Sequence, residues 1–196
     1  QLFLTSQQSL DVLSNPDAER HYPPTDTIVK MANNLLKTCG SAYPDITFML
    51  DTTSDICTSI NSYAVLLNSQ KYVVITAGLI SLHAIKPESL AVIIAHGIAY
   101  INSGSATNPT SFSCVGKADY DAVATVCSNV WYSYYNQLIP SALSQLDDFF
   151  QLIVPASDRQ GLPGDTCMNI STDCRLQAMN AAFMSLPLPS CAGGAS

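Results

Sequence analysis

From Leu90 to Ile101 the chain reads LAVIIAHGIAYI, with apolar residues on every face of a helix at 3.6 residues per turn. A helix apolar all round has no side to give to water, so the rest of the chain must wrap it. Pro87 suits the first helical position, Glu88 places a negative charge near the positive end, and Asn102-Ser103-Gly104 closes the element. The Lys86-Pro87-Glu88-Ser89 break leaves the apolar runs short of the roughly 18 to 20 residues of a membrane span. The segment therefore reads as the buried axis of a domain.

The stretches around it supply the layers. Ile28, Met31, Ala32, Leu35 and Leu36 form the stripe of an amphipathic helix that Thr25 or Asp26 caps and Cys39-Gly40 ends. Runs 46–50, 62–67 and 72–76 are rich in strand formers, and Asn68-Ser69-Gln70-Lys71 joins the last two as a β-hairpin. Helices are expected over about 117–138, 140–154 and 171–186, with Pro140 and Pro155 as boundaries. Three strands followed by helices predict an α+β fold: a mainly helical, disulfide-stabilised domain whose small sheet, of about three strands, packs on the central helix. Residues 1–24 form a loosely helical lead-in that ends in an extended stop at His21-Tyr22-Pro23-Pro24. Residues 25–186 are one domain, and 187–196 an extended tail tied down by Cys191.

Composition narrows the partners. Only 12% of the 196 residues are charged, about half the usual share, and the net charge is -7. No basic footprint exists for phosphate backbones or an anionic membrane surface, so the expected partners are proteins or further copies of the chain. Seven cysteines, at 39, 57, 114, 127, 167, 174 and 191, fall in no metal-ligand spacing. They point to an oxidising compartment, with up to three disulfides and one thiol left over, either buried or joined to another chain. Cys167 and Cys174, flanking a short loop, are the preferred pair. Opening on Gln1, with no basic or long apolar leader, the chain reads as a secreted (extracellular or periplasmic) protein after signal removal. Asn169-Ile170-Ser171 is the one glycosylation sequon.

His96-Gly97-Ile98-Ala99-Tyr100 has the length and setting of the HExxH motif of zinc proteases. That motif needs two histidines four apart to grip one metal and a glutamate beside the first to deprotonate the bound water. Around it, Asn61-Ser62-Tyr63-Ala64, Tyr72 to Ile80 and Glu88 to His96 resemble the core of the HtpX and CAAX-prenyl-protease type gluzincins. Those enzymes carry an Asn-Ala-Phe-Ala strand, a GLL segment and a helix reading roughly ELAAVLAHEIAH. Lys117-Ala118-Asp119 and Ser171-Thr172-Asp173-Cys174-Arg175 resemble the family's later segments more weakly. The resemblance spans about 46–185 and implies a zincin-like fold.

Against that pattern, Tyr100 replaces the second histidine, Gly97 the base, and Val115, Gly116 and Lys117 offer no acid for the third ligand. The expectation is a metallopeptidase-like pseudoenzyme without cofactor, in which His96, Gly97 and Tyr100 are vestigial and Tyr100 fills the space of metal and water. It acts by binding or as a self-assembling extracellular subunit. Asn61, Ser62, Tyr63 and Ala64 are the candidate contacts for a peptide or a neighbour's strand. The alternative is an active zinc endopeptidase with a non-standard site of His96, Tyr100 and Asp119 or His83. Otherwise His21 reads as a loop residue, His83 as a helix end, and Trp131, Tyr134 and Tyr135 as one side of a helix in the core or at a subunit contact.

Overall fold

A computed structural model describes residues 2–102, 114–153 and 170–194. The architecture is α+β. The lead-in is more ordered than its composition implies: α1 (Ser6–Ser14) is closed by a capping box in which Thr5 and Gln8 satisfy each other's backbone amides. After a cis Tyr22-Pro23 bond, Thr25 caps α2 (Asp26–Ala42) through its hydroxyl. The helix runs on past Cys39-Gly40.

Strands β1 (Ile46–Asp51), β2 (Ser62–Leu67) and β3 (Gln70–Thr76) form one sheet in the order β1-β3-β2. The β2–β3 pair is the expected hairpin. Its turn residues Asn68 and Ser69 both have positive φ, at 50° and 66°, the two-residue geometry that matches strand twist. In the parallel β1–β3 pair, Phe48 lies opposite Val73. β3 feeds into the short α3 (Ala77–Ile80), capped by Thr76. There Gly78 passes so close to the 57–59 loop that a Cβ would lie 2.3 Å from the Thr58 carbonyl oxygen.

The axis, α4 (Pro87–Asn102), is buried from Ser89 to Ile101. Gly97 sets its distance from the sheet, since a Cβ there would stand 3.0 Å from Val73 Cγ1 and 3.8 Å from Ala64 Cβ. The close approach at this glycine is to side chains of β2 and β3.

The expected helix over 117–138 is broken into α5 (Val115–Asp121), a π turn (Ala122–Cys127), α6 (Ser128–Val130) and a 3-10 turn (Tyr132–Tyr134). The aromatic cluster thus straddles a junction, with Tyr132 84% exposed and Tyr135 against Phe183. Pro140 lies inside α7 (Tyr135–Phe150) and bounds no helix. It falls near the start, where the ring frees only the Asn136 carbonyl in the opening turn. Ser171 caps α8 (Thr172–Phe183) by accepting from the Cys174 amide.

The preferred Cys167–Cys174 pair does not form: Cys174 is bonded to Cys191, 17 residues on, which ties the tail to α8. A 3-10 turn (Ser190–Ala192) follows the tail inward, and Ala192 seats so closely on Gly116 that a Cβ there would lie 2.7 Å away. Cys114 is also disulfide-bonded. Three buried thiols, Cys39, Cys57 and Cys127, are free where one was expected. Burial pushes the Cys39 thiol up to about 12 and Cys127 higher still, so both stay protonated and inert. Cys167 and Asn169 lie outside the described residues. No helix among the described residues is long and apolar enough to cross a membrane.

Candidate functional site around His96

Nearly two turns before the end of α4, the His96 side chain meets α5 and α8. Its Nδ1 donates to Asp119 Oδ1 at 2.7 Å. The same carboxylate receives Arg175 as a fork, Nε on Oδ2 at 2.7 Å and Nη2 on Oδ1 at 3.0 Å. His96, Asp119 and Arg175 are 3%, 0% and 3% exposed, so the Asp119 and Arg175 charges survive only through each other.

Burial alone would raise the Asp119 carboxyl; the Arg175 guanidinium, then the His96 ring, outweigh it and hold it below its ordinary value. For His96, burial dominates and lowers the imidazole against the upward pull of Asp119. The group is thus a neutral imidazole beside one paired carboxylate and guanidinium. Because the carboxylate only accepts, the proton sits on Nδ1 and Nε2 keeps its lone pair.

That lone pair has no hydrogen-bond partner among the described residues. The Phe3 ring stands edge to face with the His96 ring at 5.2 Å between centroids. Arg175 stacks over the same ring, Cζ 4.1 Å from its centroid, and Nη1 donates to the Phe3 carbonyl. Phe150 stacks with the Phe3 ring, 6.2 Å between centroids.

Phe3 arrives as part of an extra strand. Leu2 bridges Tyr63 in antiparallel sense, and the Phe3 amide donates to the Ser62 carbonyl at 2.8 Å. The Asn61 carboxamide clasps Leu4 at both ends: Oδ1 accepts from its amide at 2.9 Å and Nδ2 donates to its carbonyl at 3.0 Å. The chain's own residues 2–4 therefore hold the segment of edge that Asn61, Ser62 and Tyr63 were expected to offer. Ala64 faces inward, toward α4.

A histidine donating through one nitrogen to a carboxylate, with the other nitrogen unbonded, is the posture of a metal ligand held by its outer-shell partner. The other donors do not match zinc. Both Asp119 oxygens are taken, and Tyr100, one turn after His96, is buried with its hydroxyl pushed up by burial. His83 lies on the surface with Nδ1 3.2 Å from Glu19, and no cluster of three His, Cys, Asp or Glu side chains occurs among the described residues. At the expected third-ligand positions, Gly116 packs on Ala192 and Lys117 pairs with Asp121 at 2.6 Å.

The sequence had singled out His96, Tyr100 and Asp119. It offered Arg175 only within a segment and passed over Phe3. A lone arginine inside a mainly uncharged helix was the available signal for Arg175. Compared with protein-family models, curated protein sequences and solved structures, the chain matches none.

Proposed function

We propose that this chain is a secreted, catalytically inactive relative of the HtpX and CAAX-prenyl-protease type peptidases that works by holding a protein partner or further copies of itself. One observation carries the reading. The histidine at the head of the motif is locked to Asp119, which Arg175 holds in turn, while the positions of base and second ligand are a glycine packed on Val73 and a tyrosine. The arrangement stabilises a fold, and at the position of the motif's glutamate there is no side chain to deprotonate water. The Cys174–Cys191 disulfide favours an extracellular setting. Binding would use the outer edge of β2 by strand addition: residues 2–4 cover only its first part, and Leu66 and Leu67 beyond them are exposed.

Elemental analysis of purified protein, with a broad peptide-library digest, tests this. The expected result is no stoichiometric zinc and no cleavage. Stoichiometric zinc with cleavage abolished in His96→Ala would establish the active-peptidase alternative instead. The double variant Gly97→Glu, Tyr100→His should remain inactive, because the third ligand is still missing and a side chain at 97 meets Val73. Electron microscopy of native material at high concentration separates a polymer subunit from a binder of other proteins.

A further inference from the structure

Away from His96, the 19–21 segment runs antiparallel to 81–83. Arg20 bridges Leu82, the His21 amide donates to the Ser81 carbonyl at 2.9 Å, and the His83 amide donates to the Glu19 carbonyl at 3.0 Å. This ribbon and the loop entering α4 stand off from α2 and leave a cavity of about 430 Å³, within the range of small-ligand sites. Its walls are apolar: Ile28 and Met31 from α2, Ile80 and Ile85 from the facing side.

His21, His83 and Lys86 are also in the lining, Lys86 is its one formally charged side chain, and no carboxylate is among the lining residues. Two of the three nearby acids have partners. Glu19 accepts from His83 Nδ1, and Glu88, in the first turn of α4, accepts from Gln145 Nε2 at 3.0 Å. Asp26, the remaining nearby acid, sits in the first turn of α2, beside Thr25 and Thr27 of the lining. His21 is also spent through Nδ1, which donates to the Pro23 carbonyl at 2.9 Å. The Lys86 ammonium forms no ion pair among the described residues, and it stands at the N-terminus of α4, whose dipole adds positive potential. In a chain of net charge -7, the single formal charge in the lining of this apolar hollow is positive.

We propose that this cavity binds a small amphipathic carboxylate, a free medium-chain acyl acid, with its tail between α2 and the 80–85 segment and its carboxylate at Lys86. Recognition divides accordingly. Tail burial sets affinity, at about fourfold per methylene. The ammonium selects the anion over neutral or cationic chains of equal length.

Isothermal titration of the intact protein with octanoate, decanoate, decanol and decylamine tests this. Decanoate should bind about 15-fold more tightly than octanoate, and ahead of both decanol and decylamine. Lys86→Gln should weaken decanoate about threefold to fivefold, the scale of one exposed charge pair, and leave decanol unchanged. Met31→Trp should abolish binding by filling the hollow, and Ile28→Trp serves if that variant fails to fold. No saturable decanoate binding at millimolar concentration, equal binding of decylamine, or undiminished binding in a folded tryptophan variant would each overturn the proposal.

Discussion

At the residue scale, Asp119 is the hinge of the buried polar group, because it alone satisfies both His96 and Arg175. Arg175→Met should cost about 3–5 kcal/mol in a urea melt, the usual penalty for stranding a buried charge. The group also sets a pH dependence. His96 is held neutral in the fold, so as pH falls below the ordinary histidine value of about 6.5 the unfolded chain takes up a proton that the folded chain refuses. Stability contributed above that value is lost with acid, at about 1.4 kcal/mol per pH unit. Asp119, also lowered, adds its own loss from about pH 4 downward. Urea melts between pH 7 and 4 check the slope, and His96→Gln should flatten the part above pH 4.

At the scale of elements, the strand edge is held by few bonds with large leverage. Asn61→Ala strips both bonds from Leu4 and leaves a buried amide and carbonyl unpaired, a cost of about 2–4 kcal/mol. Hydrogen exchange should then accelerate at the Phe3 and Leu4 amides while the β2–β3 ladder stays protected. The hairpin, α2 and α4 were legible in the sequence because each carries its own signal: alternation around a tight turn, a 3-residue and 4-residue stripe, an unbroken apolar run. The break after α5 was not, since Ala122 to Cys127 reads as ordinary helix until the π turn inserts its extra residue. Nor was the site. His96 and Asp119 lie 23 residues apart and within reach of motif reasoning, but Arg175 and Phe3 meet across 172 residues, with no local pattern to announce them. The disulfide was misread for a related reason: proximity in sequence favoured Cys167, whereas the tail folds back to bring Cys191 to α8.

For the whole molecule, the Cys174–Cys191 bond closes the far side of the α5–α8 layer. By loop length it is worth about 3 kcal/mol, so Cys191→Ser should lower the melting temperature by about 6–12 °C and release Ala192 from Gly116. Differential scanning calorimetry reads the shift directly. An unchanged melting temperature would mean that the tail contributes nothing beyond its own contacts.

The Arg175–Phe3 clasp also fixes an order of events during synthesis. Residues 2–4 leave the ribosome early, yet the guanidinium that receives the Phe3 carbonyl and covers its ring belongs to α8, made late. Until then Asp119 lacks its counter-charge, and residues 2–4 are held on β2 only by the Asn61 clasp and the Phe3–Ser62 bond. A chain stalled before α8 would hold that edge less firmly, making this the window in which a chaperone or another nascent copy has access to it.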